Sequence, residues 1–241
     1  MDWLGDAWHD ITTPQPVPSG TVVLLTAVGV LLVLVVPGAW HVARHGLTIV
    51  HEAAHAGVAV LVGRRLSGIR VHSDTSGLTV SVGKPRGPGM VATAAAGYLG
   101  PAVLGVGAAW LLSRGYAVAL LWILLVVLVL VLVQIRNWYG LWSVLVTGAL
   151  LVGVTVWGSA TVQGVAAYAM TWFLLLGAPR AVVEMQSERR RARRRGVPDT
   201  SDAGLLGRLT HVPGGLWVAI LLLVCLAALA LGTTWLVGLQ F

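Results

Sequence analysis

The chain has 241 residues, of which 57% are hydrophobic and only 10% are charged, and its mean hydropathy is +0.85. A soluble domain of this size needs a larger polar surface, so the composition predicts an integral membrane protein. The single cysteine excludes an intrachain disulfide and a cysteine-based metal site. The net charge is +7, and the basic residues that cause it are expected to face anionic lipid rather than nucleic acid.

The N-terminal region divides into a polar arm and a first apolar run. Residues 1–20 contain three prolines and are expected to form an interfacial arm that carries Trp3 and Trp8 near the lipid headgroups. Residues 21–42 are long enough to cross about 30 Å of hydrocarbon at about 1.5 Å per residue, with a bend expected near Pro37. This run is the first predicted span.

The second predicted span, residues 46–63, contains the pattern His-Glu-Ala-Ala-His. Residues four apart share one face of a helix, so His51 and His55 can converge on a tetrahedral metal ion, with Glu52 beside it to take a proton from water. The pattern is typical of zinc-dependent peptidases. An unpaired acid at membrane depth is costly, which also favours a functional site. The sequence therefore predicts a Zn²⁺ site with two histidine ligands and Glu52 as the catalytic base.

A β-hairpin is predicted directly after this helix, over residues 67–83. Apolar residues alternate there with polar ones on both sides of a turn at residues 74–77; they are Ile69, Val71, Leu78, Val80 and Val82. Alternation with a period of two is the pattern of half-buried strands. The hairpin interrupts an otherwise helical chain.

The rest of the chain alternates between apolar runs and short loops. Further spans are expected at about residues 90–112, 116–135, 139–157, 161–178 and 215–236. The fold class predicted is an all-α integral membrane protein, a polytopic bundle of about seven transmembrane helices with one small hairpin. Its organisation is an arm at 1–20, a membrane domain at 21–178, a basic cytoplasmic segment at 179–213, and a last transmembrane helix within 214–241.

Basic residues are distributed unevenly between the two predicted sides. With the N-terminus in the cytoplasm, only Arg44 and Arg114 of the 16 Lys and Arg residues fall outside. This bias predicts a multi-pass protein of the cell membrane with a cytoplasmic N-terminus and an external C-terminus. The arginine-rich run at residues 189–195 is expected to contact anionic lipid.

At this point the sequence resembles a known family. A His-Glu-x-x-His helix with a basic exit and a hairpin, over residues 46–83, is similar to the compact bacterial branch of the site-2 proteases, which are intramembrane zinc metallopeptidases. The run Ala-Gly-Tyr-Leu-Gly-Pro at residues 96–101 stands where these enzymes carry an Ala-Gly-Pro element in the next core helix. The resemblance covers roughly residues 45–145.

The resemblance also locates a departure. Site-2 proteases usually supply the third zinc ligand as an Asp in a later Asn-x-x-Pro-x-x-x-Leu-Asp-Gly motif; the counterpart here begins at Asn137 and has Leu145 in place of the Asp. No acid lies between Asp74 and Glu184, so the third ligand must come from elsewhere. The amide of Asn137 is left as a substrate-strand anchor or a weak ligand.

The resemblance favours Asp202 as the missing ligand. The element Ser-Asp-Ala at residues 201–203 precedes Leu-Thr-x-x-Pro and Trp217, as it does in the compact branch. For Asp202 to reach the metal, residues 199–210 would have to fold back into the bundle. An N-cap role for Asp202 is equally compatible with the sequence. The other candidate ligands are Asp199, His211, His72 and Asp74.

These residues predict an intramembrane zinc metalloendopeptidase that acts on membrane-spanning segments of other proteins. A free edge of the hairpin, with Leu78 and Val80, would hold an unwound substrate extended. Two alternatives remain: an inactive membrane scaffold or binding protein that keeps the fold, and a small metal or proton transporter, which the apolar character of spans four to six disfavours. A homo-oligomer is compatible with the sequence.

Overall fold

The structure is a computed structural model that describes residues 3–238, apart from the side chains of Trp3, Leu4 and Asp6. Its elements within this range are α1 (Trp3–Thr12), α2 (Gly20–Val35), α3 (Pro37–Leu61), β1 (Arg65–Val71), β2 (Gly77–Val82), α4 (Pro88–Ser113), α5 (Ala117–Gln134), α6 (Trp138–Trp157), α7 (Ala160–Arg194), α8 (Asp202–Thr210) and α9 (Gly214–Leu236).

Apolar helices dominate this architecture, as expected for a multi-pass membrane protein. Five of the described helices are long and apolar enough to cross a membrane, namely α4, α5, α6, α7 and α9. The number becomes six if α2 and α3 together form one broken span. The expected helical membrane bundle with a small hairpin is therefore present, but the predicted count of seven spans is not confirmed.

The difference lies at the junction of α2 and α3. The sequence analysis placed one helix at 21–42 and the next at 46–63; instead α2 ends at Val35 and α3 begins at Pro37, with 103° between them. Pro37 has a fixed φ and no amide hydrogen, which suits the first turn of a helix, and it forces Val36 into an extended conformation. The proline thus starts α3, which contains the His-Glu-Ala-Ala-His pattern and is called the zinc-motif helix below, rather than bending the end of the first span.

The boundary expected between residues 178 and 179 is also not a break. Helix α7 runs without interruption through Pro179 and ends at Arg194. Its 35 residues extend about 52 Å at about 1.5 Å per residue, well beyond the hydrocarbon thickness of about 30 Å. The first half of the predicted basic segment is therefore a helical extension of a membrane span.

The interior is centred on α4, which contacts α3, α5, α7, α8 and α9. Close helix packing depends on small residues there: an added Cβ at Gly105 on α4 or at Gly232 on α9 would overlap the side chain of Leu175 on α7. Leu175 is fully buried in the largest apolar cluster of the described residues. Helices α3 and α8 both contact α4.

The predicted hairpin is present. Strands β1 and β2 pair antiparallel with Ile69 opposite Thr79. The side chains of Ile69 and Val71 on β1 are buried. The turn is fixed to the zinc-motif helix, because the hydroxyl of Thr48 donates a hydrogen bond of 2.9 Å to the carbonyl of Thr75.

The outer edge of β1 is already occupied by another part of the chain. Ile69 forms a parallel bridge with Ile135, and the amide of Arg136 donates to the Ile69 carbonyl at 2.9 Å. The side-chain amide of Asn137 both donates to the carbonyl of Val71 at 2.7 Å and accepts from its N–H at 3.2 Å. Any incoming strand would therefore have to pair with β2.

The position of Arg44 differs from the expected membrane sidedness. Its guanidinium lies 3.4 Å from the carboxylate of Glu184 and 3.3 Å from that of Glu188, on the same part of α7 that leads into the arginine-rich run. Arg44 was expected on the opposite side of the membrane from that run, and this assignment is wrong. The orientation of the termini remains a prediction, since it depended on an odd number of spans.

The N-terminal arm contains a helix that the sequence analysis did not expect. Helix α1 packs against α5, and the carbonyl of Gly115 accepts a hydrogen bond of 2.8 Å from the amide of Gln15. Trp8 is 68% exposed, whereas the side chain of Trp3 lies outside the described residues. An interfacial position of the arm remains a prediction.

Candidate metal centre

Three side chains from α3 and α8 converge on one point. The Nε2 atoms of His51 and His55 are 3.0 Å apart, and Oδ2 of Asp202 lies 3.2 Å from each of them. Among the described residues, these form the one group of three or more His, Cys, Asp or Glu side chains arranged to hold a metal ion. Asp202 thus reaches two residues that precede it by about 150 positions in the chain.

Glycine on the neighbouring helix creates the space for this group. His51 and His55 lie on one face of α3 as the i, i+4 spacing predicts, and this face packs against α4 at Gly97. A Cβ at Gly97 would overlap Nε2 of His55 and Cε1 of His51. One turn of the interface away, a Cβ at Gly100 would overlap the Ala54 methyl group. The glycines therefore set the distance between the two helices at the site.

Both imidazole rings are held by residues of α4. Nδ1 of His55 lies 2.6 Å from the carbonyl oxygen of Thr93, which can only accept, so Nδ1 carries the proton and Nε2 presents its lone pair. The ring of His51 packs edge-on against Tyr98, with 4.6 Å between the ring centroids. Sequence analysis missed Thr93 and Tyr98 as supports, because a backbone acceptor and a ring contact leave no motif.

Asp202 occupies the first position of α8, and its neighbour provides the helix cap. The hydroxyl of Ser201 accepts a hydrogen bond of 3.1 Å from the amide of Gly204, so the N-cap role considered for Asp202 belongs to Ser201. The Asp202 carboxylate is therefore not used as the cap of its own helix and lies 3.2 Å from Nε2 of both His51 and His55.

The three donor atoms fit a zinc ion. With bonds of about 2.0 to 2.2 Å, tetrahedral geometry separates ligand atoms by about 3.3 to 3.5 Å. The observed separations of 3.0 to 3.2 Å are close to this range. A metal ion between the three atoms would accept a lone pair from each of them. Two imidazole nitrogens and one carboxylate oxygen form the ligand set of a catalytic zinc site, which keeps a position for water or substrate.

Glu52 points to the other side of the same helix turn, toward β2. It is buried, with 4% of its surface exposed, and its Oε2 accepts a hydrogen bond of 2.6 Å from the hydroxyl of Thr79. The backbone of β2 approaches closely, because a Cβ at Gly77 would overlap the Glu52 carboxylate. Sequence analysis missed Thr79: it followed the apolar positions of the strand, whereas the polar ones face the site.

The metal-ligating group and the acid line one cavity of about 660 Å³. Strand β2 forms part of its wall through Leu78 and the polar face of the strand, while Val80 is not among the lining residues. Leu78 and Val80 are 49% and 41% exposed, so both side chains are accessible. The three converging side chains, Glu52 and part of β2 therefore share a single cavity.

The other candidate ligands have separate local roles. Asp199 bonds to Arg189 and Ser201, which lower its pKa against the opposing effect of burial. Asp74 accepts from the amide and hydroxyl of Ser76 within its turn, and these bonds lower its pKa. His211 ends α8 in a left-handed conformation, and His72 approaches Ser76 at 3.4 Å. Asn137 is engaged with Val71, and its amide is not part of the converging group.

Comparison with known proteins identifies a family. A family model described as Peptidase M50B-like matches residues 24–232, which is most of the chain. No curated protein and no solved structure matches. The matched range includes α3, the hairpin and α8, and with them every residue of the site.

Proposed function

The chain belongs to the peptidase M50B-like family, a site-2 protease family, and we propose that it is an intramembrane zinc endopeptidase that hydrolyses peptide bonds in or near transmembrane segments of membrane proteins. One observation carries the proposal: Oδ2 of Asp202 lies 3.2 Å from both motif histidines, in the cavity that also contains Glu52. With Asp202, the motif would have the three protein ligands of a catalytic zinc site, beside a buried acid.

His51, His55 and Asp202 would hold the ion in this account. When bound, zinc would supply Lewis-acid chemistry, polarising a carbonyl group and making water a nucleophile near neutral pH. Thr93 keeps the proton of His55 on Nδ1, so that Nε2 remains a donor. Asp202 would supply a carboxylate oxygen as the third protein ligand.

Glu52 would be the general base. It takes a proton from the attacking water and then passes it to the amine of the leaving peptide, so one carboxylate serves both steps. The 2.6 Å hydrogen bond from Thr79 fixes the position of Oε2, and burial excludes bulk water from the carboxylate. Both contacts keep the base in one orientation beside the ligands.

A substrate segment would bind extended along β2. The outer edge of β1 is occupied by residues 135–137, so β2 is the strand left to accept an incoming peptide. Main-chain hydrogen bonds to a strand edge hold a peptide extended, as peptide-bond hydrolysis requires. Leu78 borders the cavity and would contact substrate side chains, with Val80 on the same face.

The inactive-scaffold alternative loses its main support. It was motivated by Leu145 standing where related enzymes carry an acid, but Asp202 supplies a carboxylate from α8. We place the protein in the cell membrane, where the exposed arginines at the end of α7 would contact anionic lipid; these are Arg190, Arg191, Arg193, Arg194 and Arg195.

The direct test is cleavage of a model membrane-spanning substrate by protein purified with zinc. The Glu52→Gln variant should lose nearly all activity while it keeps its zinc, because the amide has similar shape but cannot accept the proton. Asp10→Asn, which changes an exposed acid on α1 outside this cavity, is the control and should remain active. Unchanged cleavage in Glu52→Gln would rule out this function.

A further inference from the structure

One arginine in the run at the end of α7 differs from its neighbours. The side chain of Arg189 is only 16% exposed, and its Nε donates a hydrogen bond of 2.7 Å to Oδ2 of Asp199. Its Nη1 donates a hydrogen bond of 2.8 Å to Gln186, and Nη2 packs so closely on Gly214 that a Cβ there would overlap it. The remaining arginines of the run are exposed.

Asp199 connects this arginine to the start of α8. Its Oδ1 accepts hydrogen bonds from both the amide and the hydroxyl of Ser201, at 3.1 Å and 2.6 Å, and its backbone carbonyl accepts from Arg208 at 2.8 Å. The carboxylate also lies directly against Gly204, where a Cβ would overlap it. The carboxylate of Asp199 thus joins α7 to the first turn of α8, and its backbone carbonyl is bound by the last turn.

Ser201 connects Asp199 to the proposed metal ligand Asp202, which follows it in the chain. Its backbone is extended, and its hydroxyl accepts the Gly204 amide, which defines the first turn of α8. Asp202 is the next residue, so the conformation of Ser201 sets the direction from which the Asp202 carboxylate approaches His51 and His55.

We propose that Arg189 and Asp199 form a clamp that positions Asp202 for metal binding. Arg189 is therefore a positioning residue for the metal centre, in addition to being one of a run of basic residues. The inference rests on the proposed zinc site and adds to it a requirement that neither the zinc motif nor the family match supplies. Packing of Ala203 and Leu206 holds α8 in the bundle, and the clamp adds polar contacts at its N-terminal end.

The physical basis is the preorganisation of a ligand. Residues 196–198, which lead from α7 toward Asp199, are exposed, and backbone hydrogen bonds tie Gly196 and Val197 to α7. The clamp is the side-chain connection between α7 and Asp199 itself, close to the ligand. Loss of partners that orient a ligand typically weakens metal affinity by about 10- to 100-fold. Displacing the first turn of α8 would act on zinc affinity even though no ligand atom is changed.

The test measures the zinc dissociation constant of the full-length purified protein by competition with a chromophoric chelator. Arg189→Ala should bind zinc about 10- to 100-fold more weakly than wild type. Arg190→Ala removes the same charge from an exposed neighbour and should keep the wild-type zinc affinity. The absorption spectrum of the cobalt-substituted protein should change in Arg189→Ala and stay unchanged in Arg190→Ala, because it reports ligand geometry.

Two further variants separate positioning from general destabilisation. Arg189→Ala should have little additional effect on zinc affinity when Asp199→Ala is already present, because the two residues act through one contact. Arg189→Lys should restore part of the affinity, since an ammonium group keeps the charge but not the planar donor arrangement.

The outcomes distinguish this inference from the proposed function. Zinc-binding wild-type protein with equal affinities in Arg189→Ala and Arg190→Ala would overturn the clamp alone. Fully additive effects of Arg189→Ala and Asp199→Ala would overturn it as well. Wild-type protein that binds no zinc would overturn the proposed function and the clamp together.

Discussion

The two sides of helix α3 are built in different ways. On the metal side, His51 and His55 face α4 and the first turn of α8, whose Asp202 is about 150 residues away in the chain. On the base side, Glu52 faces β2, which follows within 30 residues and contributes the hydroxyl of Thr79. One helix turn thus joins a long-range assembly to a local one.

In the proposed enzyme, one side of α3 would bind the metal ion and the other side would hold the general base. The metal side depends on the mutual placement of three helices, so changes there should remove the metal. The base side depends on one strand lying against one helix, so changes there should reduce the rate of hydrolysis with the metal still bound. Measuring zinc content and cleavage together can show whether the two sides are independent.

The largest effect on the metal side is expected from Gly97→Ala. The added methyl group would occupy the space of the two imidazole rings, so we expect loss of stoichiometric zinc and a fall in cleavage of about 100-fold or more. Zinc analysis and the cleavage assay measure both quantities. Gly107→Ala on the same helix is the control, since nothing lies within 4 Å of the added Cβ. Wild-type zinc content in Gly97→Ala would contradict the described packing of the metal side.

A smaller effect, confined to the rate, is expected from Thr79→Val on the base side. The change removes the donor to Oε2 of Glu52 but preserves the shape of the side chain. A hydrogen bond to a charged group contributes about 1.5 to 3 kcal/mol, so the rate of cleavage should fall by about 10- to 100-fold while zinc content stays the same. Thr79→Ser restores the hydroxyl and should recover most of the rate. Zinc loss in Thr79→Val would show that the two sides are coupled.

The smallest effect is expected from Asn137→Ala, behind the hairpin. Both side-chain hydrogen bonds to Val71 would be lost, which should destabilise the local structure by about 1 to 2 kcal/mol. Faster hydrogen exchange at the amides of β1, with unchanged zinc content, is the expected result. A loss of zinc in this variant would instead support a direct role for Asn137 at the metal.

Local patterns in the sequence predicted the local parts of the site. The i, i+4 spacing placed His51 and His55 on one face, and the period-two alternation located the hairpin, because both depend on backbone geometry over a few residues. Asp202 was selected through a family resemblance from several candidates, since no periodicity connects residues about 150 positions apart.

Other features were present in the sequence but interpreted differently. Pro37 was taken as a bend in the first span, although a proline equally suits the first turn of a new helix. Arg189 was grouped with a basic run, and only the folded chain shows that it alone turns toward Asp199. The individual partner of one residue in a run of like residues depends on tertiary contacts, which the run itself does not encode.

The central claim, that His51, His55 and Asp202 together hold zinc beside Glu52, is tested most directly by zinc stoichiometry with zinc-edge X-ray absorption on the purified protein. Wild type and Glu52→Gln should each contain one zinc per chain with nitrogen and oxygen ligands only, and Asp202→Ala should lose most of its zinc. Wild-type protein without stoichiometric zinc, or an Asp202→Ala variant with full zinc and an unchanged absorption spectrum, would contradict the account.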